Sequence, residues 1–367
     1  SLVDNCGNAA ATQVQTITVT DNTVPTFTAP ASTTIFTNAT CGYDRSTSIN
    51  GDVTNEADNC TPSLNATFSD ADGAPTCTGS FVITRTWSLV DNCGNAAATQ
   101  VQTITVTDNT VPTFTAPAST TIFTNATCGY DRSTSINGDV TNEADNCTPS
   151  LNATFSDADG APTCTGSFVI TRTWSLVDNC GNAAATQVQT ITVTDNTVPT
   201  FTAPTNTTIF TNATCGYDRS TTNNGDVTNE ADNCTPSLNA TFSDADGAPT
   251  CTGSFVITRT WSLVDNCGNA AATQVQTITV TDNTVPTFTA PTNTTIFTNA
   301  TCGYDRSTTN NGDVTNEADN CTPSLNATFS DADGAPTCTG SFVITRTWSL
   351  VDNCGNAAAT QVQTITV

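Results

Sequence analysis

The sequence predicts an all-β protein, built as a tandem array of small β-sandwich domains that lie end to end as a rod. The phrase SLVDNCGNAA recurs every 87 residues, so the chain is a repeat array. Each repeat contains short runs of alternating apolar and polar residues, bounded by Gly, Pro and Asn, which is the pattern of strands and turns. No segment shows the period of an amphipathic helix.

The period also sets the predicted domain boundaries. Residues 1–19 match residues 349–367, so we expect the chain to begin with the C-terminal fragment of a preceding repeat in a longer array. The first two complete repeats are identical, and so are the last two; the two pairs differ at four positions. We predict one domain for each complete repeat: 20–106, 107–193, 194–280 and 281–367, called repeats 1 to 4.

The strands can be followed in order along repeat 1. Pro25 and Pro30 bracket TFTA, which suits an edge strand, and STTIFTN follows. After a polar stretch, SLNATFSD places Leu64, Ala66 and Phe68 on one face. SFVITRTWSLV is the strongest strand, and TQVQTITVT closes the repeat. One apolar face of the strongest strand holds Phe81, Ile83, Trp87 and Leu89. Many short strands with Gly, Pro and Asn turns are typical of an immunoglobulin-type sandwich.

Three local features of this pattern lead to separate structural predictions. The alternation of the closing strand slips between Val14 and Ile17 in the fragment copy, which suggests a bulge. Asn50-Gly51 is a candidate tight turn. Arg85 falls on the same face as Trp87; its head would need a carboxylate partner if buried, and we expect the stem to cover apolar surface while the head reaches solvent.

Composition limits the partners and the function. The chain has 33 acidic and 8 basic residues and a net charge of −25, which repels nucleic acid and attracts divalent cations. No apolar run approaches the length of a membrane span. There is no His or Lys to act as a base, and we expect no enzymatic activity. The paired acids are more typical of solvated loops or cation ligands than of a glycosidase.

Each repeat has four cysteines, and Cys6 lies in the fragment. Four cysteines in a small acidic domain indicate two disulfides and an extracellular setting; zinc is a weaker alternative, because the sequence has no C-x-x-C pair and no His. In repeat 1, the strand order should place Cys60 and Cys93 at one end and Cys41 and Cys77 at the other, with Cys41–Cys60 as the main alternative pairing. We predict Cys41–Cys77, Cys60–Cys93, Cys128–Cys164, Cys147–Cys180, Cys215–Cys251, Cys234–Cys267, Cys302–Cys338 and Cys321–Cys354.

The acidic residues near these cysteines predict calcium sites at the joints between repeats. The loop before SLNATFSD, the VDNCGN turn and the linker should meet at the end that faces the preceding repeat. Oxygen donors suit Ca²⁺, and clustered carboxylates repel one another without a cation; the alternative is that Asp and Asn only cap turns. The candidates are Asp21, Asn22, Glu56, Asp58, Asn59, Asp91 and Asn92; Asp108, Glu143, Asp145 and Asp178; Asp195, Glu230, Asp232 and Asp265; Asp282, Glu317, Asp319 and Asp352; and, at the far ends of repeats 1 and 2, Asp70, Asp72, Asp157 and Asp159.

The linkers predict a stiff array. VTDNTVP contains a Pro and no Gly, and the closing strand runs into the next repeat almost without a spacer. With strands of about ten residues, four domains end to end would reach on the order of 150 Å.

DNCGN at a strand end, followed by TITVTDNTVPTFTAP, resembles hyalin-type repeats, the immunoglobulin-like modules of extracellular adhesion proteins. This four-cysteine version is most similar to arrays in large surface adhesins of gliding, flavobacterial-type bacteria. The usual cysteines of the hyalin repeat are replaced here by TAPA and TQVQT, so the family disulfide does not carry over. The resemblance implies a cell-surface stalk or adhesin.

The expected function is therefore a structural stalk that projects an adhesive region from the cell. Its partners would be neighbouring repeats and, through regions outside this sequence, an external surface or polysaccharide. A second interpretation is that each repeat itself binds a glycan or surface, and a third is that chains assemble into a fibre. The single Trp of each repeat lies in the predicted core, which favours the stalk.

Overall fold

The computed structural model describes residues 1–337 and 339–367. The described residues form strands and four one-turn helices. They divide into two compact units: residues 1–122, 131–161 and 169–192 form the first, and residues 123–130, 162–168 and 193–367 form the second. Among the described residues, none of the helices has the length and apolar character needed to cross a membrane.

The four repeats share one order of elements. Repeat 1 contains β1 (Thr26–Thr28), β2 (Thr33–Phe36), α1 (Thr47–Asn50), β3 (Thr54–Ala57), β4 (Thr67–Asp72), β5 (Phe81–Ser88) and β6 (Gln100–Thr107). Repeat 2 contains β7 (Thr113–Thr115), β8 (Thr120–Phe123), α2 (Thr134–Asn137), β9 (Thr141–Ala144), β10 (Thr154–Asp159), β11 (Phe168–Ser175) and β12 (Gln187–Thr194). Repeat 3 contains β13 (Thr200–Thr202), β14 (Thr207–Phe210), α3 (Thr221–Asn224), β15 (Thr228–Ala231), β16 (Thr241–Asp246), β17 (Phe255–Ser262) and β18 (Gln274–Thr281). Repeat 4 contains β19 (Thr287–Thr289), β20 (Thr294–Thr295), α4 (Thr308–Asn311), β21 (Thr315–Ala318), β22 (Thr328–Asp333), β23 (Val343–Ser349) and β24 (Gln361–Thr366).

Each repeat has a two-stranded and a four-stranded sheet. In repeat 1, β1 pairs with β3, and the larger sheet has the order β2-β6-β5-β4. The pairs β4–β5 and β5–β6 are antiparallel, whereas β2 runs parallel to β6. The two runs TFTA and STTIFTN therefore belong to different sheets, and Pro30 lies between them. The prediction of an all-β tandem array of immunoglobulin-like sandwiches is confirmed.

The core lies between the two sheets and follows the predicted alternation of the strongest strand. In repeat 1, Trp87 and Leu89 are 1 % exposed and pack against Phe27 of the small sheet. A second cluster joins Ile83 of β5 to Ile104 of β6 and their neighbours. These contacts bury the apolar faces of both sheets, which is the main favourable contribution to folding.

A buried ion pair crosses the larger sheet of every repeat. In repeat 1, Arg85 is fully buried, and its Nε and Nη2 donate to the two carboxylate oxygens of Asp70 at 2.8 and 3.0 Å. Its Nη2 also donates to the carbonyl of Arg45 (2.6 Å), and the guanidinium lies 3.8 Å from the ring centroid of Phe68. The expectation that the Arg85 head reaches solvent is therefore wrong; the carboxylate that a buried head requires lies directly across the strand pair.

The closing strand contains buried glutamine instead of the expected bulge. The register of β5 with β6 is continuous, and the inward position between Gln100 and Ile104 is filled by Gln102, which is fully buried. Gln102 Nε2 donates to the carbonyls of Ala31 (3.0 Å) and Asn50 (2.6 Å). The apparent slip in alternation is thus a polar residue that holds two loops against the sheet.

The polar stretch after β2 contains a one-turn helix, which the sequence pattern did not predict. In repeat 1, α1 ends at Asn50, and Gly51 follows with a φ of 88°. Asn50 Nδ2 donates to the carbonyls of Asp44 (2.9 Å) and Ser46 (3.0 Å), which closes the turn from inside. Asn50-Gly51 is therefore the end of a helical turn and not a hairpin.

Candidate metal centres and inter-repeat disulfides

The phrase VDNCGN forms a tight turn organised by its aspartate. In repeat 4, Asp352 Oδ1 accepts hydrogen bonds from the amides of Cys354 (2.9 Å) and Asn356 (2.8 Å), and Asp352 Oδ2 accepts one from Asn356 Nδ2 (2.7 Å). Gly355 supplies the positive φ of 92° in this turn. Asn356 Nδ2 also donates to the carbonyl of the linker residue Asp282 (3.2 Å), so the turn holds the linker in place.

This turn needs only its own residues. In the exposed fragment 1–19, Asp4 Oδ1 accepts hydrogen bonds from the amides of Cys6 (3.0 Å) and Asn8 (2.9 Å). The hydrogen bond from the Asn8 amide is the main reason why the pKa of Asp4 lies below its ordinary value. The phrase therefore positions its aspartate and cysteine before any sandwich contact is made.

The second acidic turn, ADNC, is also organised by its aspartate. In repeat 4, Asp319 Oδ2 accepts hydrogen bonds from the amides of Cys321 (2.9 Å) and Thr322 (2.8 Å). Asp319 Oδ1 is buried and has no hydrogen-bond partner among the residues that the structure describes. Asn320 Nδ2 donates to the carbonyl of Asn212 in repeat 3 (2.9 Å), so the turn contacts the preceding repeat directly.

The third acid comes from the linker. Asp282 is 2 % exposed; its amide donates to Ser254 Oγ (2.8 Å), and its Oδ1 accepts from Thr211 Oγ1 (3.2 Å) and the Thr284 amide (3.1 Å). Within residues 1–337 and 339–367, Asp282 Oδ2 is buried without a hydrogen-bond partner. Repeat 3 thus fixes one side of this carboxylate and leaves the other oxygen available.

These three acids meet. One carboxylate oxygen from each of Asp282, Asp319 and Asp352 lies within 4.8 Å of the others. The same arrangement occurs four times, which places one cluster at the start of every complete repeat. The junction clusters are Asp21, Asp58 and Asp91; Asp108, Asp145 and Asp178; Asp195, Asp232 and Asp265; and Asp282, Asp319 and Asp352.

In the described part of the chain, no basic side chain forms an ion pair with a cluster aspartate. All eight basic residues are arginines, and each forms ion pairs in the larger sheets with Asp70, Asp72 or their equivalents. The hydrogen bond from the Cys60 amide lowers the pKa of Asp58. Burial would raise the pKa of Asp91, but hydrogen bonds from Asn95 and the Cys93 amide outweigh it and lower that pKa. Hydrogen bonds from neighbouring residues therefore favour the charged forms of Asp58 and Asp91 in the first cluster.

The donor set fits a hard divalent cation. Three carboxylates supply oxygen only, and two of the three offer a buried oxygen with no partner within the described residues. Ca²⁺ takes six to eight oxygen ligands and tolerates irregular geometry, so carbonyls or water would complete the shell.

The structure brings together only part of the predicted ligand set. The glutamates cap backbone amides instead: Glu56 Oε1 accepts from the Ala66 amide at 2.7 Å, and Glu143, Glu230 and Glu317 make the same contact. Asn22 is exposed. Asn92 Oδ1 accepts a hydrogen bond from Thr61 Oγ1 (2.9 Å). The predicted far-end ligands are engaged in ion pairs with arginine: Asp70, Asp72, Asp157 and Asp159.

The disulfides join consecutive repeats. Two bonds connect each complete repeat to the next, with sequence separations of 106 and 103 residues and Cα–Cα distances of 4.9 and 5.2 Å. Each bonded cysteine of the later repeat stands two residues after a cluster aspartate. The bonds found among the described residues are Cys41–Cys147, Cys77–Cys180, Cys128–Cys234, Cys164–Cys267, Cys215–Cys321 and Cys251–Cys354.

The predicted pairings within a repeat are therefore wrong. Cys41 and Cys77 bond to repeat 2 instead of to each other, and Cys60 and Cys93 are free. The same correction applies to the predicted pairs Cys128–Cys164, Cys147–Cys180, Cys215–Cys251, Cys234–Cys267 and Cys321–Cys354. The predicted Cys302–Cys338 bond involves Cys338, which lies outside the described residues. The physical reason is that each pair of cysteines at one end of a repeat faces the complementary pair of its neighbour.

A glycine packs against one of these bonds and provides a test of the pairing. Gly253 has a φ of 87°, and a Cβ there would lie 2.5 Å from Cys321 Sγ and 3.0 Å from Cys215 Sγ. Gly268 has a similar φ of 92°, but a Cβ there would meet nothing within 4 Å.

We expect Gly253→Ala to hinder formation of the Cys215–Cys321 bond, because the new methyl group occupies the space of its sulfurs. Thiol labelling with mass spectrometry of the oxidised chain should find Cys215 and Cys321 reactive in this variant. Gly268→Ala carries the same backbone strain and should label like the parent protein. Equal labelling of the two variants would contradict the described contact.

Comparison with known proteins gives no family. No protein family model matches the chain, and no curated protein matches it, so the resemblance to hyalin-type repeats stays a prediction. Among solved structures, the chain is similar to Drosophila N-cadherin EC1-4 (12 % identity, 92 % of this chain and 99 % of that chain, TM-score 0.24). It is also similar to the sialic acid binding region of a Streptococcus sanguinis adhesin (11 %, 93 % and 97 %, TM-score 0.19) and to Sidekick-1 immunoglobulin domains 1-5 (10 %, 94 % and 81 %, TM-score 0.23). At these scores the matches carry no argument about function.

Proposed function

We propose that the chain is part of the extracellular stalk of a repetitive surface adhesin, without enzymatic activity. Its repeats are fastened to one another by paired disulfides and by calcium at each junction. Disulfides persist in oxidising compartments, which supports a location outside the cell. The hyalin-type resemblance of the repeats supports a role in adhesion at the cell surface.

One observation carries this proposal: covalent bonds and carboxylates coincide at the same junctions. At the junction of repeats 3 and 4, Asp319 precedes Cys321 by two residues and Asp352 precedes Cys354 by two residues. Both cysteines bond to repeat 3, while both carboxylates face the linker Asp282. The aspartate and the cysteine of the repeated phrase thus both act on the connection between repeats, which is what a stalk needs and a self-contained binding module does not.

The bound cation would supply a non-covalent link between the linker and the two turns. Asp21, Asp108, Asp195 and Asp282 would hold it from the linker side. The paired aspartates of the ADNC and VDNC turns would hold it from the following repeat.

Calcium should raise the thermal stability of the wild-type chain. A ligand that binds only the folded state stabilises it by RT ln(1 + [L]/Kd), or about 2.7 kcal/mol at a concentration of 100 Kd. Calorimetric melts in excess calcium should therefore give a higher Tm than melts in excess chelator. Magnesium at the same concentration is the control; it demands stricter octahedral geometry and should have a smaller effect. Identical melts in calcium and chelator would remove calcium from the proposal.

Scattering and ligand binding test the stalk itself. Small-angle scattering of the full chain should give a maximum dimension on the order of 150 Å, as strand length predicts for four domains end to end. Glycan arrays should show no binding. A folded-back particle would contradict the stalk, and reproducible glycan binding would favour the alternative in which each repeat is a binding module. Concentration-dependent growth in light scattering would indicate a self-assembling fibre.

A further inference from the structure

The disulfides bond each interior repeat to both of its neighbours. In repeat 3 all four cysteines are bonded: Cys234 and Cys267 to repeat 2, and Cys215 and Cys251 to repeat 4. Repeat 2 is bonded on both sides in the same way. An interior repeat is therefore held by two covalent bonds on each side in addition to the peptide linker.

These bonds form two continuous lines, which we call rails. The first rail consists of Cys41–Cys147, Cys128–Cys234 and Cys215–Cys321. The second rail consists of Cys77–Cys180, Cys164–Cys267 and Cys251–Cys354. Within repeat 3, the first rail follows the main chain between Cys215 and Cys234, and the second follows it between Cys251 and Cys267.

We infer that the rails, and not the peptide linkers, transmit tension through the array, so that an interior repeat that unfolds adds little length to the array. This inference deepens the proposed stalk function, on which its biological meaning rests. The covalent connectivity that carries it is independent of calcium and of any adhesive ligand.

The rails provide much shorter paths through a repeat than its full unfolded chain does. An 87-residue repeat that unravels between its linkers would span roughly 300 Å at about 3.3–3.6 Å per residue. With the second rail intact, the path through repeat 3 contains only the 16 residues from Cys251 to Cys267, or about 55 Å at full extension. The first rail contains 19 residues between Cys215 and Cys234, or about 65 Å. Either rail shortens the available extension about fivefold.

The second rail already runs through extended chain. Its segment in repeat 3 contains β17, Phe255–Ser262, which is a central strand of the larger sheet. β17 is paired along its length with β16 on one side and β18 on the other. Tension on this rail therefore pulls on a strand that has little length to gain and is held on both edges by backbone hydrogen bonds.

The rails are also in contact with each other. Gly253, which follows Cys251 of the second rail by two residues, lies against the sulfurs of the Cys215–Cys321 bond of the first rail. The main chain of the second rail thus packs against the disulfide of the first rail at this junction.

Single-molecule force spectroscopy of the full oxidised chain, pulled from its two ends in calcium, tests this inference. We expect no extension step near 300 Å in the wild-type protein. Two variants remove one rail each by Cys→Ser, and a third removes both. The first-rail variant changes Cys41, Cys128, Cys147, Cys215, Cys234 and Cys321; the second-rail variant changes Cys77, Cys164, Cys180, Cys251, Cys267 and Cys354.

Both single-rail variants should still lack steps near 300 Å, because the remaining rail bypasses the interior repeats. Only shorter steps from the terminal segments outside the rails should occur. The double variant should show up to four steps near 300 Å. If each single-rail variant instead shows such steps, or if the oxidised wild-type protein does, the bypass does not exist.

Two further measurements keep the test decisive if a variant folds poorly. Fluorescence of the buried tryptophans reports folding of each variant before it is pulled. The wild-type protein can also be folded first and then pulled after addition of a reductant, which should produce the long steps without any substitution. Long steps in the oxidised protein together with an extended scattering profile would reject the rails and leave the stalk proposal standing.

Discussion

Replacing the buried arginine of every repeat with alanine is expected to lower the free energy of unfolding by about 3–5 kcal/mol per repeat. In repeat 3, Arg259 is fully buried and donates to both carboxylate oxygens of Asp244 (2.7 and 2.9 Å) and to the carbonyl of Arg219 (2.6 Å). Its removal leaves the Asp244 carboxylate, which is 12 % exposed, without its partner. Because the repeats are nearly identical, all four should unfold at similar denaturant concentrations when each carries the substitution. The fourfold variant is Arg85→Ala, Arg172→Ala, Arg259→Ala and Arg346→Ala.

Chemical denaturation followed by tryptophan fluorescence measures this loss. The matched control replaces the second arginine of each repeat, which is about one-third exposed and pairs with a half-exposed aspartate such as Asp246. Arg45→Ala, Arg132→Ala, Arg219→Ala and Arg306→Ala together should cost less than about 1 kcal/mol per repeat. Replacing both partners, as in Arg259→Met with Asp244→Leu in each repeat, should recover most of the loss, since no charge is then left buried. Equal losses in the two arginine sets would contradict the buried pair.

Acid should remove the same stabilisation. The hydrogen bond from Arg259 holds the pKa of Asp244 below its ordinary value of 3.8. A depressed carboxyl pKa contributes stability above that ordinary value, and the contribution is lost as the pH falls through the lower, folded-state pKa. The wild-type protein should therefore keep this contribution at neutral pH and lose it as the pH falls below about 4. The measurement is a set of denaturation curves across that range.

Substituting the linker aspartates is expected to have opposite effects with and without calcium. Asp282→Asn keeps an oxygen for Thr211 and Thr284 but removes the charge that faces Asp319 and Asp352. In chelator, Asp108→Asn, Asp195→Asn and Asp282→Asn together should leave the Tm unchanged or raise it, because like charges no longer repel. In calcium, the same variant should lose the stabilisation contributed by these three junctions and keep only that of the unchanged Asp21 cluster.

The control removes the same number of charges away from the junctions. Asp159→Asn, Asp246→Asn and Asp333→Asn affect half-exposed partners of arginine, so a small loss is expected and it should be the same in both solutions. Isothermal titration of calcium into both variants provides the second readout. A linker variant that still gains the full calcium increment would show that these carboxylates are not the ligands.

Strand alternation was enough to predict the fold class and most of the core. Ile83, Trp87 and Leu89 are inward because a strand alternates its side chains, whatever sequence lies elsewhere. The same rule places Arg85 and Gln102 inward. Because both are polar, we instead expected the Arg85 guanidinium to reach solvent and interpreted the break in alternation at Gln102 as a bulge. Their partners, Asp70 and two loop carbonyls, come from distant segments and cannot be read from one strand.

The candidate site was predicted in part for a similar reason. The aspartates of the ADNC and VDNC turns and of the linker share one end of a repeat by topology alone, and they do meet. Glu56 lies in the same sequence neighbourhood but reaches the Ala66 amide first. The disulfides were mispredicted because each repeat was treated as closed. Cys41 and Cys77 were correctly placed at one end of the repeat and Cys60 and Cys93 at the other. In an array, the first end of one repeat faces the second end of the next repeat, so the bonds form between repeats.

The identity of the junctions has a consequence for how such an array changes in length over generations. Every junction uses the same positions of the 87-residue period, and repeats 1 and 2 have the same sequence. Unequal recombination between two copies inserts or deletes a whole period. Each new boundary therefore again joins the end of one repeat that carries the Cys41 and Cys77 positions to the end of the next that carries the Cys60 and Cys93 positions. No cysteine loses its partner, and no carboxylate set is left incomplete. Repeat number is therefore free to vary without any compensating substitution, whereas an exchange out of phase leaves unpaired thiols at the boundary.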